Sequence, residues 1–380
     1  MFFYYLEIIV INKGLKKLAE LQLERTNFIL LAALILTAFF IAGIPKIQIQ
    51  TDFQEGLPDD LPPIQAQEDV QSKFGNTESL IILITTNEEP LQDSFVTDVR
   101  DPRMIRTLNF LENELENEPI VESTNSVASL FEENPETKQQ VIGNLSSSQA
   151  SFVNRDFTAT TMFVQLSEEM NEENVREATQ VIEQNLDESP KYPGIEISVT
   201  GQPAIRSALG GIIVTDTVTI IAAASAIILL LLSLARGLFY GPATFLPLFT
   251  GLIWTLGAMG WIGLPLTIVT ISLSSMLLGL GVEYGSFIAE RIVEEKKKNG
   301  IESAIKETMP NTGEAVLGSS VTDLVGFTAL LLASISFLRD LGLTLAIGES
   351  LTLASALIIT PSLIIKYEKW KEKRQEDDKE

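Results

Sequence analysis

The segment LGLGVEYGSFIAER (278–291) places a carboxylate, Glu283, inside one of the most apolar stretches of the chain. The next basic residue is Arg291. A helix that crosses a bilayer needs roughly 20 mainly apolar residues, and residues 264–289 satisfy that requirement. A charge at such a position costs at least a few kcal/mol. Glu283 therefore needs either a structural partner or a function.

Working outward from this segment, the same criterion predicts six membrane spans. The opening MFFYYLEIIVIN (1–12) is apolar but too short to cross, and it lacks the basic start and cleavage site of a signal peptide. We interpret it as an interfacial or packed helix. The predicted spans are 27–45, 211–234, 239–261, 264–289, 314–337 and 343–365.

Basic residues predict the orientation of the spans. They cluster before the first span, between the second and third, between the fourth and fifth, and after the sixth. By the positive-inside rule both termini are cytoplasmic. The predicted order is a cytoplasmic or interfacial segment (1–26), span one (27–45), an extracytoplasmic domain (46–208), spans two to six (209–366) and a charged cytoplasmic tail (367–380).

Charge is distributed unevenly along the chain. The formal net charge is −23, and residues 46–206 alone hold 30 acidic against 10 basic side chains. So acidic a surface makes nucleic acid an improbable partner. The chain has no Cys and no His, which removes disulfides, thiolate ligands and the commonest metal ligand. We expect no metal or cofactor, and we find no nucleophile–base constellation that indicates an enzyme.

The extracytoplasmic segment is predicted to be an α+β domain. β-rich apolar runs lie at 79–86, 158–167 and 195–201, with a weaker one near 120–123. The pattern strand–helix–strand occurs twice and indicates a ferredoxin-like split βαβ unit, of the porter type. GLPDDLPP (56–63) is predicted to be extended. The predicted helices are 101–117, 137–150 and 171–187.

Four acidic residues lie inside the predicted spans, away from the first and last residues of each span: Asp216, Glu283, Asp323 and Glu349. If each span is centred in the bilayer, Glu283 and Asp323 lie in the cytoplasmic half, and Asp216 and Glu349 in the outer half. No Lys or Arg lies deep in a span to neutralise them. Desolvation favours the protonated form of a carboxyl group, so these residues are candidate proton carriers.

Small and polar residues follow the acids at helical spacing. In span four they form a stripe with Glu283, and a similar stripe in span five lies beside Asp323. Such residues allow close helix packing and bonding between helices, so we expect the Glu283 face to point inward. The alternative is that these acids only hold helices together. The packing residues predicted near the relay are Ser275, Gly279, Ser286, Ser319 and Gly326.

Four motifs in order resemble the resistance–nodulation–division (RND) superfamily, in particular its MMPL-type hydrophobe and amphiphile exporters. TDFQEGLPDDLPP (51–63) is similar to the start of their outside domain, and TGQPAIRSAL (200–209) to the entry of span two. Residues 263–291 are similar to the fourth-span signature, which usually ends in Gly-hydrophobic-Asp-Tyr. Residues 321–363 carry the Gly and Pro landmarks of spans five and six. The resemblance covers residues 15–367.

The resemblance implies proton-driven export, with the fourth-span acid as the proton carrier. That position is Glu283, followed by Tyr284, and we place Asp323 in the same relay. The chain departs from the pattern because Glu replaces Asp, and because Asp323 and Glu349 stand where uncharged residues are expected. Larger members carry two such halves, so this half-size chain is expected to form a homodimer or to pair with a second half-size subunit.

The leading hypothesis is a half-size MMPL-like subunit in the cell membrane that exports lipids or other amphiphilic molecules at the expense of the proton gradient. Membrane lipids enter as substrates through the resemblance alone. Two alternatives remain open. One is an accessory subunit of Sec-dependent protein export that uses the proton gradient. The other is a membrane sensor or scaffold of the same fold that transports nothing.

Overall fold

The computed structural model describes residues 2–52, 56–58, 60–74, 79–86, 95–131, 133–145, 152–167 and 172–377. The chain divides into two compact units. The first comprises Met1–Pro58 together with Ile213–Glu380, and we call it the helical unit. The second, Asp59–Ile212, contains the sheet, and we call it the α+β unit.

The α+β unit is built on a four-stranded antiparallel sheet with the order β2-β3-β1-β4. β1 lies between β3 and β4 and pairs antiparallel with both. Alternate residues of β1 are buried, as expected for a strand with one face on a core. The strands are β1 (Ser79–Thr86), β2 (Val121–Asn125), β3 (Ala159–Leu166) and β4 (Ile195–Thr200).

Helices connect these strands in the predicted alternation. α4 lies between β1 and β2, and α6 lies between β3 and β4, which with the strand order is the topology of a split βαβ unit. Asp101 caps α4 by accepting a hydrogen bond from the Arg103 N–H. The helices of this unit are α3 (Pro62–Phe74), α4 (Pro102–Leu115), α5 (Lys138–Asn144) and α6 (Glu172–Glu188).

The extended interpretation of 56–63 is wrong at its end, because α3 begins at Pro62. Proline suits the first helical position, where its missing N–H has no intrahelical partner to lose. The predicted helix 137–150 is present as α5 up to Asn144, and residues 146–150 lie outside the described part of the chain.

The helical unit consists of long apolar helices. Four stretches are long and apolar enough to cross a membrane: Thr26–Lys46, Gln202–Ile262, Thr270–Leu332 and Ser336–Gln375. The chain is thus a multi-pass helical protein by length and composition. Its helices are α1 (Phe2–Glu24), α2 (Thr26–Ile41), α7 (Gln202–Ile262), α8 (Leu273–Ala329) and α9 (Ser336–Asp377).

The two longest helices are hairpins. Gly237 interrupts α7 with a φ of 86°, and Gly300 interrupts α8 with a φ of 80°, a conformation that glycine adopts without a Cβ clash. Beyond the first break the chain turns back, since a Cβ on Gly241 would lie 2.5 Å from the Ser233 Cα. The halves of α8 also meet, because Tyr284 contacts Asp323.

Two predicted boundaries are wrong. α8 begins at Leu273, nine residues after the predicted start at 264, because Leu266 pairs its backbone with Gln48 and Gln50 instead of entering a helix. The predicted span 314–337 ends too late: a 3-10 turn follows α8, Ala333 is extended, and α9 begins at Ser336. Hydropathy continues through both breaks, so it could not locate them.

The N-terminal helix packs against α8 and α9. Gln22 is fully buried, and its Nε2 donates to the carbonyl oxygens of Leu357 at 2.8 Å and Ile358 at 3.2 Å. The Leu357 carbonyl lacks its usual helical donor because residue 361 is proline, which has no N–H. The Gln22 amide replaces that hydrogen bond and ties α1 to α9.

Candidate functional site

The first half of α8 packs in parallel against α9 through glycine contacts. A Cβ on Gly348 would lie 2.5 Å from Leu277, and one on Gly281 would lie 2.5 Å from Thr352. Leu277 of α8 lies beside Gly348 of α9, and four residues later Gly281 lies beside Thr352. The two helices therefore run in the same direction. On the other side, a Cβ on Gly251 of α7 would lie 2.6 Å from the Thr352 Cα. Three helices therefore meet closely around Thr352.

This contact gives the relative levels of two of the acids. Leu277 lies beside Gly348, and Gly281 lies beside Thr352. Glu283 therefore lies about five residues, or roughly 7 Å, further along the shared direction than Glu349. The assignment of the two acids to opposite halves of the bilayer stays a prediction.

Tyr284 and Asp323 form the contact between the two halves of α8. The Tyr284 hydroxyl lies 3.5 Å from Oδ2 of Asp323, at the long end of the hydrogen-bond range. Tyr284 is only 2% exposed, and its ring packs in a cluster with Ile288 and Leu353. Two of the predicted relay residues are thus brought together although 39 positions separate them in the sequence.

A cavity of about 350 Å³ borders Tyr284. Tyr284 and Ser319 line it on opposite halves of α8, and charged residues stand among its other lining side chains. The guanidinium group of Arg291 is paired with Glu294 at 3.0 Å and Glu295 at 2.7 Å. The remaining lining residues are Phe287, Glu290, Thr312, Ala315 and Val316. A space with this mixture of polar and apolar walls can admit water to the Tyr284 hydroxyl.

Glu283 itself is exposed in the single chain, contrary to the prediction that its face lies inside the bundle. The apolar side of α8, including Leu277 and Ile288, takes the interior position instead. Ser286 is buried at 8% exposure, and its carbonyl accepts a hydrogen bond from Arg236 at 2.8 Å. The other predicted packing residues, Ser275, Gly279, Ser319 and Gly326, are exposed.

Glu349 is the buried acid of the group. It is fully inaccessible, and in the described part of the chain neither carboxylate oxygen has a hydrogen-bond partner. The Thr352 hydroxyl, one turn further along α9, is also buried and unpartnered. Asp216 is exposed on α7. The structure thus assembles four of the five predicted acid and tyrosine residues around α8 and α9.

The sequence did not predict one polar cluster. Glu368 near the end of α9 is 2% exposed, and it accepts from Tyr240 of α7 and pairs with Lys296 of α8. It joins the three helices near the turns at Gly237 and Gly300. No motif indicates these residues, because Lys296 belongs to a run of basic residues that the positive-inside rule explains as a determinant of membrane orientation. Among the described residues, no group of three or more acidic side chains is placed to hold a metal ion.

Apolar helical hairpins with acids between them define the class of a multi-pass membrane protein. The model of the MMPL family matches residues 57–379, and the chain belongs to that family. The predicted resemblance is therefore confirmed.

Individual relatives agree with this assignment. The protein MJ1562 of Methanocaldococcus jannaschii is 28% identical over 94% of this chain and 95% of its own length. MmpL4 of Mycobacterium leprae is 27% identical over 53% of this chain, and MmpL9 of Mycobacterium tuberculosis 27% over 57%. Both are named as transport proteins, and the matches cover only 22% and 23% of their lengths.

Among solved structures, SecDF in its super-membrane-facing form is similar over 94% of this chain and 40% of its own. The TM-score is 0.46 and the sequence identity is 15%.

Proposed function

We propose that this chain is a half-size transporter subunit that exports lipids or other amphiphilic molecules and is driven by protons. In this proposal six helices cross the cell membrane, both termini are cytoplasmic, and the α+β unit lies outside. The family assignment and the transport proteins among the relatives support the class of function. The lipidic substrate is an extension of the same assignment.

The observation that carries the proton step is the contact between Asp323 and Tyr284, whose side chain also lines the cavity. A carboxylate beside a phenol that borders such a cavity can take up a proton and release it again. Because these two residues join the two halves of α8, a change in the charge of Asp323 alters the contact between those halves. Protonation would thereby bias the packing of the helices, as switching elements require.

The exposed position of Glu283 supports a dimer. A carboxylate that faces lipid costs a few kcal/mol, and on α8 it shares an exposed stripe with Ser275 and Gly279. Small residues of this kind allow two helices to approach closely. We propose that a second copy of the chain covers this stripe, so that each Glu283 becomes enclosed in the assembly.

Proton entry into liposomes under an imposed pH gradient tests the proposal. The purified chain is reconstituted with and without candidate amphiphiles in both leaflets. We expect wild type to conduct protons and Glu283→Gln and Asp323→Asn to lose most of that flux. Tyr284→Phe should reduce it, because the hydroxyl that contacts Asp323 is removed. Asp216→Asn is the matched control, since it neutralises an exposed acid on another helix.

Two results would contradict the proposal. One is wild-type flux no greater than that of empty liposomes, with and without amphiphiles, when the protein is folded and assembled. The other is equal flux in wild type, Glu283→Gln and Asp323→Asn. In either case the acids serve packing, and co-purification with a protein-translocation channel would then favour a role in protein export.

A further inference from the structure

The surroundings of Glu349 point to chemistry that the proton step at Asp323 does not use. The side chain is fully buried, and both carboxylate oxygens lack a hydrogen-bond donor within the described part of the chain. An ionised carboxylate in such a place loses its hydration without compensation, which costs several kcal/mol. The cost disappears when the group carries a proton.

The stretches that pack around Glu349 bring no cation to it. The second half of α7 (238–262) packs against α9 through Gly251 and Gly348, and it contains no Asp, Glu, Lys or Arg. α2, which also packs on α9, has none between 26 and 41. In the first half of α8 (273–289) the one charged residue is another carboxylate, Glu283. An ionised Glu349 would therefore have no positive charge from these stretches to stabilise it.

A proton fits this position better than a metal cation. Hard divalent cations take six to eight oxygen ligands. Here the unpartnered oxygens are the two of Glu349 and the hydroxyl of Thr352. The glycine contacts around Thr352 also leave little room for a hydrated ion. A proton needs only one of these oxygens.

We propose that Glu349 is a proton-carrying acid that is neutral at neutral pH and is held inside the contact between α7, α8 and α9. The proton forms an O–H bond with one carboxylate oxygen and passes to water when that bond breaks, so the charge changes by one unit and no electrons are transferred. The protonated state is a property of this chain. Its use in transport rests on the function proposed above.

Infrared spectroscopy of the full chain in lipid vesicles tests the protonated state of Glu349 without measuring transport. At neutral pH we expect a carboxylic acid band that shifts on exchange into D₂O. The band should be lost in Glu349→Gln, which keeps the shape of the side chain, and retained in Glu349→Asp. Asp323→Asn and Asp216→Asn are controls and should retain it.

The proposal is overturned if the neutral-pH spectrum is the same in wild type and Glu349→Gln. It is also overturned if Na⁺, compared with K⁺, removes the band at constant pH, since that result assigns a metal cation to the site. Failure of the transport proposal gives a different pattern. In that case the Glu349 band behaves as expected while no variant changes proton flux into liposomes.

Discussion

Two carboxylates of this chain, Asp98 and Glu349, have opposite surroundings. Glu349 meets no donor in the described structure, whereas Asp98 accepts from Arg100 and Lys138. The side chain of Asp98 is 16% exposed. Burial alone would raise its pKa, but the Arg100 and Lys138 hydrogen bonds outweigh burial and lower the pKa of Asp98 to about 2. Glu349 is therefore suited to carry a proton, and Asp98 is suited to stabilise the fold.

This difference predicts an acid-sensitive contact in the α+β unit. Because the folded pKa of Asp98 is depressed, its contribution is present above about pH 4 and is lost as the pH falls to about 2. A depression of this size corresponds to roughly 2 kcal/mol. We expect Asp98→Asn to lower the local stability of the segment 98–115 by about that amount at neutral pH. Hydrogen exchange followed by mass spectrometry on the full chain measures it.

Lowering the pH provides the control for Asp98. The difference between wild type and Asp98→Asn should shrink as the pH approaches 2, since the wild-type carboxylate is then protonated in about half of the folded molecules and in nearly all unfolded ones. Asp187→Asn neutralises a side chain that is 85% exposed in an ion pair with Lys191, and it should change little. A difference that stays constant with pH would show that the carboxylate charge is not the cause.

At the scale of elements, close helix packing depends on particular glycines. A Cβ at Gly251 would lie 2.6 Å from the Thr352 Cα, so an alanine there must push α7 away from α9. Overpacking of this kind costs about 1–3 kcal/mol, and the better helix propensity of alanine returns at most about 1 kcal/mol. We expect Gly251→Ala to destabilise the helical unit. All three tryptophans, Trp254, Trp261 and Trp370, lie in this unit, so their fluorescence follows its thermal unfolding.

A second glycine, Gly14, separates the effect of helix–helix packing from the effect of helix propensity. Gly14 is exposed on α1, and a Cβ built there meets nothing within 4 Å. Gly14→Ala should therefore leave the unfolding temperature unchanged or raise it slightly. Equal effects of the two substitutions would mean that the contact between α7 and α9 is looser than the structure describes.

Elements with a local sequence signal were predicted correctly, and elements that depend on a distant contact were not. β1 was predicted at 79–86 and observed at Ser79–Thr86, because an apolar β-branched run is a local signal. The start of α8 was missed because the competing contact is distant: Leu266 bonds to Gln48 and Gln50. A helix boundary decided by a partner more than two hundred residues away cannot be read from local hydropathy.

At the scale of the whole molecule, the stripe at Ser275, Gly279 and Glu283 predicts an interface between two copies. The chain contains no cysteine, so single-cysteine variants need no background removal. We expect Ser275→Cys or Gly279→Cys to give a disulfide-linked dimer when native vesicles are oxidised, because close helices bring Cα atoms within the 4.4–6.8 Å that a disulfide requires.

The cross-linking control is a residue of comparable exposure on another helix. Leu34 on α2 is 65% exposed, and Leu34→Cys should stay monomeric under the same oxidation. Equal cross-linking at all three positions would indicate random collision in the membrane. Cross-linking at position 34 alone would assign the interface to α2 and leave Glu283 to face lipid or another partner.

By itself the sequence determined the properties that depend on short segments or on summed charge. These are the apolar stretches, the acidic α+β segment, its strands, and the family to which the chain belongs. Each follows from hydropathy, charge or residue order within a short window. Only the tertiary structure decided which acids are buried. Glu283 was predicted to face the inside of the bundle, yet folding exposes Glu283 and buries Glu349. Burial and charge interactions depend on how distant helices pack, and no single segment contains that information.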